Sequence, residues 1–194
     1  MSAIIIKELT PPPIDVREVS RYIGCGRSCT DYDQLIEKSV ERCRGALSYK
    51  LCYGSYPLSI KGDLCHLGFA EVISRDLAKC LDGCDGVIVF AATVGLELDR
   101  LINRYGRIEP SLSLCLDAIG DERIEALCDS FCAELKEKYS LTRPRFSPGY
   151  GDLPLEFQAS LFSALSCHKS IGLTLNDSML MSPAKSVTAI VGVK

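Results

Sequence analysis

No apolar run in this chain reaches the roughly 18 to 20 residues needed to span a bilayer. The opening MSAIIIKELTPPP also lacks a basic start followed by a long apolar core. The chain is therefore expected to make no use of a membrane and to work in the cytoplasm. Positive charge is not in surplus either: the net charge is −3 over 194 residues, which argues against a surface that tracks nucleic-acid phosphates. Histidine is scarce, with only His66 and His168. The patterns GxSxG, HExxH and GxxxxGKS/T are all missing, so the hydrolase, zinc-protease and phosphate-loop chemistries they serve have no foothold.

What is present is an ordinary globular composition, 47% hydrophobic and 24% charged. A chain of this length buries about 70% of its unfolded surface as one domain, here residues 1–194, without needing disulfides. Eleven cysteines at irregular spacing form an odd set, which in a reducing compartment reads as thiols. Three pairs share the spacing CxxxC: Cys25 with Cys29, Cys80 with Cys84, and Cys128 with Cys132. On a helix this spacing puts both thiols on one face. Structural zinc sites favour CxxC knuckles in fours, so core packing is the stronger reading and a thiol or metal protein the weaker one. His168 follows Cys167 directly, which is poor geometry for a nucleophile and its base, and it reads as a helix-end cation.

Ala3 to Leu9 reads as a strand stopped by Pro11, Pro12 and Pro13, and Asp15 to Ile23 as a helix with Asp15 as N-cap. Thr30 to Leu47 is a second helix, and Ser48 to Phe69 alternates and turns as two or three short antiparallel strands. Ser74 caps a short helix ending near Gly83. Gly86 to Val94, GVIVFAATV, suits a central strand buried on both faces. Helices are expected over Leu96 to Tyr105, over Pro110 to Tyr139 with Gly120 as a point for a kink, and over Leu155 to Ser166. Two strands follow, Ser178 to Met181 and Ser186 to Val193. Without regular βαβ alternation, the mixture predicts an α+β fold around a largely antiparallel sheet.

One stretch stands apart: RPRFSPGYGDLP, residues 143 to 154. Its prolines stiffen the backbone, so Arg145 is placed to contact a carboxylate with little entropy to lose. Gly149 and Gly151 allow close backbone approach to a ligand, and Tyr150 offers a flat face and a hydroxyl. Two readings stay open on these residues alone. The loop either holds a zwitterionic or nucleoside-bearing small molecule, or is a rigid connector with Arg145 paired to an acid.

RFSPGY resembles the RxxxGY motif of the activation domain of cobalamin-dependent methionine synthase, which binds S-adenosylmethionine. AATVGLELD (Ala91 to Asp99) is similar to the family's apolar strand and turn, AIGDERIEAL (Ala118 to Leu127) to its long helix, and PAKSVTAIVGV (Pro183 to Val193) to its Pro-x-x-Ser-Val strand. IDVREVSRYIG near the start resembles the opening helix. By contrast, DLCHLG (Asp63 to Gly68) has the wrong spacing for the DxHxxG signature of cobalamin-binding domains, so the chain is not expected to hold cobalamin itself.

The resemblance implies a bent, largely antiparallel sheet flanked by helices and a site for S-adenosylmethionine. It further implies a role in trans, as a component of methionine synthase methyltransferase activity. The partner would be a cobalamin-binding methionine synthase or other corrinoid protein, reactivated with an electron from a flavodoxin-like donor. Carried over, Arg145 would hold the methionine carboxylate, Ser147 and Gly149 would lend backbone groups, Tyr150 would line the site, and Glu125 would complement the ammonium or sulfonium. Val191 and Gly192 fall where the family's last strand touches the ligand. The family's acidic residue after the first helix has no counterpart in Gly24 to Cys29, which motivates an alternative: a noncatalytic module that docks a corrinoid protein.

Overall fold

The computed structural model describes residues 3–24 and 30–194. The edge strand β1 (Ile5–Lys7) stops before the three prolines, which have no N–H to give a ladder. Helix α1 (Val16–Ile23) begins where the Asp15 carboxylate accepts the Arg17 amide at 2.9 Å, and it ends at Gly24 with a left-handed φ of 80°. Helix α2 (Thr30–Cys43) ends before Leu47, because the chain turns where the Ala46 amide donates to the Cys43 carbonyl.

The strand-rich segment resolves into β2 (Lys50–Pro57), β3 (Ser59–Lys61), β4 (Leu64–His66) and β5 (Glu71–Ile73). Ser74 then caps α3 (Arg75–Cys80) by accepting the Leu77 amide at 3.1 Å. The apolar run forms β6 (Gly86–Thr93), followed by α4 (Leu96–Gly106) and the long α5 (Pro110–Lys138). Helices α6 (Gln158–Leu165) and α7 (Cys167–Ile171) come next, then β7 (Thr174–Leu175), β8 (Met181–Ser182) and β9 (Ser186–Val193).

The main sheet runs β1-β2-β6-β9 with every neighbour antiparallel, and β3-β4-β5 form a separate small sheet. Because β6 lies between β2 and β9, its alternate residues feed two cores. Ile88, Phe90 and Ala92 pack against α1, α2, α4 and α5. Val87, Val89 and Ala91 pack against α3, α6, α7 and the small sheet. Phe131 of α5 anchors the first core, with its ring 5.1 Å from both Phe90 and Tyr53.

Helix α5 runs unbroken through Gly120, whose reason is close approach. A β-carbon there would lie 2.8 Å from Lys185 Cγ and 3.0 Å from Leu98 Cδ2. Next to it, the buried Arg123 donates to the carbonyls of Pro12 and Pro13, and Glu122 accepts the Asp15 amide at 3.2 Å. The proline segment is thus tied to α5, and α1 starts from a fixed point.

Two C-terminal expectations need correction. The helix expected over 155–166 opens with a 3-10 turn at Leu155–Phe157, ends as α6 at Leu165, and breaks at Ser166, whose φ is 48°. Ser178 to Met181 is mostly a turn. Asn176 Oδ1 accepts the amides of Ser178 and Leu180 at 3.0 and 2.9 Å, and this local competition outweighs strand pairing until Met181.

Candidate functional site

The first half of the loop is an interrupted edge strand laid along β9. Thr142 bridges Val193, the Arg143 amide donates to the Gly192 carbonyl at 2.9 Å, and Phe146 and Ile190 exchange both hydrogen bonds at 2.8 Å. Four steps from Thr142 to Phe146 face three from Val193 to Ile190, so one extra residue is bulged out between the bridges. Pro144 lies in that bulge, where the missing N–H costs nothing. Arg145 lies in it too, and its side chain reaches α5.

The second half is held from below. The Asp152 carboxylate accepts the Ser74 hydroxyl at 2.5 Å and the amides of Arg75 and Asp76 at 2.9 and 3.2 Å, so it reinforces the start of α3. The Ser74 hydroxyl holds the Asp152 pKa below the ordinary carboxyl value. Gly149 (φ 89°) and Gly151 (φ 54°) turn the chain between these anchors. The Gly149 amide closes the turn onto the Leu153 carbonyl at 3.0 Å, so its donor is already used.

On α5, Asp117, Asp121, Glu125 and Asp129 repeat every four residues and form one acidic stripe. Two cations from the last third of the chain relieve their mutual repulsion. Lys185 Nζ lies 2.9 Å from Asp117 and 2.6 Å from Asp121. Arg145 pairs through Nη2 with Glu125 and lies 3.2 Å through Nη1 from Asp129. That last contact is misaligned for hydrogen bonding, so Nη1 is buried without a hydrogen-bond partner among the described residues. Burial opposes the charge of Arg145, yet its acidic surroundings hold the guanidinium above its ordinary pKa. Cys128 beside it is pushed up to about 12 by burial and is neutral at pH 7, so the carboxylates supply the stabilising charge.

A cleft of about 310 Å³ opens between this pair and the sheet edge. Of the residues named from the sequence, Glu125, Arg145, Ser147 and Tyr150 line it together. Gly149 shapes the turn beside it. Val191 lines an adjoining cleft instead, and Gly192 packs away from both, with Cys84 Sγ 2.6 Å from where its β-carbon would be.

Thr188, Gln158, Met181 and Asp129 were not singled out from the sequence. Thr188 lines the cleft with a buried hydroxyl that has no hydrogen-bond partner among the described residues. By strand period its backbone N–H and C=O face the same edge as those of Ile190, beyond the point where the loop leaves. Gln158 is held by the Met179 carbonyl at 3.0 Å. Only Asp129 carried a legible signal, its place in the four-residue acidic repeat.

Helix α1 comes near Glu125. Tyr22 in its last turn is raised in pKa by burial and then by the nearby charge of Glu125. The segment expected to carry the missing acid, including Cys25 and Cys29, lies outside the described residues beyond Gly24.

The other CxxxC pairs serve packing. The Cys80 thiol donates to the Pro144 carbonyl at 3.5 Å, Cys84 fills space against Gly192, and Cys128 is fully buried. Among the described residues, no group of three or more His, Cys, Asp or Glu is arranged to hold a metal ion.

Chemically, the cleft offers one guanidinium and one carboxylate joined to each other, an unpaired strand edge, an unsatisfied hydroxyl and an exposed aromatic ring. An anion taking Arg145 alone would strand Glu125, and a cation taking Glu125 alone would strand Arg145. A zwitterion satisfies both.

The family model for the activation domain of vitamin B12 dependent methionine synthase matches residues 76–194. A crystal structure of the MetH reactivation domain bound to AdoHcy is similar over 89% of this chain and 68% of that chain, with a TM-score of 0.68 and 17% identity. Comparison with curated proteins finds no match.

Proposed function

Given that the chain belongs to the activation-domain family of vitamin B12 dependent methionine synthase, we propose that it binds S-adenosylmethionine to support reductive methylation of cobalamin on a separate protein. The observation that carries this reading is the cleft between Arg145, Glu125 and the open edge at Thr188, whose charges match a zwitterion. Its volume, about 310 Å³, is at the small end of the range for small-molecule sites. Two of its lining residues, Arg145 and Thr188, carry buried polar atoms, Nη1 and Oγ1, that lack hydrogen-bond partners among the described residues. A ligand carboxylate at Arg145 and amino group at the strand edge would satisfy them.

In this reading Arg145 exchanges its contact with Glu125 for the ligand carboxylate, and Glu125 turns to the ammonium or sulfonium. Tyr150, 69% exposed, supplies a flat face at the mouth. Bound S-adenosylmethionine supplies an already activated methyl group, so no general acid or base is required of the chain. The protein's work is orientation, by a guanidinium fixed in a bulge and a turn pinned by Asp152. The methyl acceptor is cobalamin on a corrinoid protein such as methionine synthase, with a flavodoxin-like donor supplying the electron, all in the cytoplasm.

Isothermal titration with S-adenosylmethionine tests the reading. Saturable binding is expected, and Arg145→Ala should weaken it roughly 10- to 100-fold, the cost of about 1.5–3 kcal/mol for a hydrogen bond to a charged group. Absence of binding at millimolar ligand by folded protein would overturn it. A noncatalytic docking module is favoured by one observation, that Arg145 Nη2 is already paired with Glu125. Corrinoid-protein capture indifferent to S-adenosylmethionine would support that alternative.

A further inference from the structure

Arg145 is a shared wall. Behind it lies a second cleft, of about 390 Å³, which the proposed S-adenosylmethionine site does not use. One side is α5, where Asp129, Cys132 and Lys136 are spaced by three and four residues and so share a face. The other side is the bulged edge segment with Arg143, and Val191 forms part of the lining.

Three cations, Lys136, Arg143 and Arg145, meet one carboxylate there. Arg143 is held in place rather than neutralised. Its Nε and Nη2 both donate to the Asp82 carbonyl, at 3.1 and 2.5 Å, and the Cys84 thiol lies beside it. Neither Arg143 nor Lys136 has a carboxylate partner among the described residues. Arg145 contributes Nη1, buried and without a hydrogen bond among those residues. Its neighbour Asp129 is 74% exposed and free to swing into solvent.

We propose that this cleft binds a phosphate-class anion, and that its occupancy is coupled through Arg145 to the S-adenosylmethionine cleft. Three cationic groups from two walls suit an oxyanion with at least three acceptor oxygens and more than one negative charge. A carboxylate offers only two oxygens and a single charge. Even with Glu125 counted as a second carboxylate on Arg145, the three cations leave one positive charge in surplus, which disfavours a cation. The coupling follows because one guanidinium faces both clefts: an anion drawing Nη1 behind Arg145 competes with a ligand carboxylate in front. This second half rests on the proposed ligand site, whereas anion binding itself does not.

The test uses the full chain with inorganic phosphate and glycerol phosphate, each compared with chloride at equal ionic strength, by thermal shift and isothermal titration. Saturable stabilisation by phosphate beyond chloride is expected. Lys136→Gln, an exposed change, should weaken phosphate binding about fivefold without altering Tm in its absence, and Arg143→Gln, which also gives up its bonds to the Asp82 carbonyl, should weaken phosphate binding independently. Glycerol phosphate binding as well as phosphate would show that the cleft accepts phosphate carried on a larger molecule. Preference for inorganic phosphate would assign the free ion.

Saturating phosphate should weaken S-adenosylmethionine binding on the order of fivefold, with the reciprocal effect of equal size. Stabilisation by phosphate no greater than by chloride overturns the site, and so does unchanged phosphate affinity in both variants. Phosphate binding that leaves S-adenosylmethionine affinity unchanged overturns the coupling. Failure of S-adenosylmethionine to bind at all counts against the proposed function and the coupling, and leaves the phosphate measurement to decide the anion site.

Discussion

Gly192→Ala separates two roles for the last strand. The family resemblance puts Gly192 where a ligand is touched, whereas the structure packs it against the opposite core. An added β-carbon would lie 2.6 Å from Cys84 Sγ, 2.9 Å from Leu81 Cδ2 and 3.2 Å from Arg143 Cγ. Each is a side-chain atom, but they close in together. Leu81 is fully buried, and the Arg143 head is held by the Asp82 carbonyl. Overpacking of this kind costs about 1–3 kcal/mol. Replacing glycine within a strand returns roughly 0.5–1 kcal/mol. The net loss should be about 0–2.5 kcal/mol, centred slightly above 1, and at that centre Tm falls by about 2–5 °C for a chain of this size.

Calorimetry of the variant, paired with ligand titration, reads both roles at once. Packing predicts a lower Tm with little change in S-adenosylmethionine affinity beyond what a shifted Arg143 transmits. An unchanged Tm would refute the packing argument, and an unchanged Tm with lost affinity would return Gly192 to the ligand site.

Other outcomes follow from the same geometry. Lys185→Met leaves Asp117 and Asp121 one turn apart with no cation between them, and should cost about 1–3 kcal/mol, read as a fall in Tm that added salt partly restores. Asp152 has a folded pKa below its ordinary value, set first by the Ser74 hydroxyl. Its contribution is therefore complete above the ordinary carboxyl value and lost as pH falls through the lower folded one, so Asp152→Asn should flatten the acid side of a Tm-against-pH profile. Burial pushes the thiols of Cys43 and Cys128 up to about 11 and about 12, so at pH 8 neither should react with a disulfide reagent until the protein unfolds. Phe131→Ala removes the ring between Phe90 and Tyr53 and should cost about 3–5 kcal/mol, measurable by denaturant unfolding.

The legible features were local ones. Asp15 and Ser74 announce their helices because a cap acts within three residues of itself. The nearly continuous apolar run from Gly86 to Val94 marks β6 as central because only an interior strand buries both faces. In the same way the prolines declared a stiff loop with Arg145 as its chemistry, whereas Glu125 was named only through the family resemblance. The turn at Asn176 was missed because alternation in a short window outweighed an Asx side chain that competes for the same amides.

By itself, then, the sequence determined the α+β class, most of the elements, and a rigid loop carrying one arginine, since each depends on periodicity, capping or proline within a few residues. Only the tertiary structure decided what that arginine meets. Glu125 lies 20 residues from Arg145, and the Asp152 anchor lies 78 residues from Ser74. The bulge that turns Arg145 toward α5 exists only once the loop lies against β9. No local pattern encodes such pairings, because they arise where separate elements pack. The placing of Thr188 at an open edge, and of Gly192 against Cys84, was settled there as well.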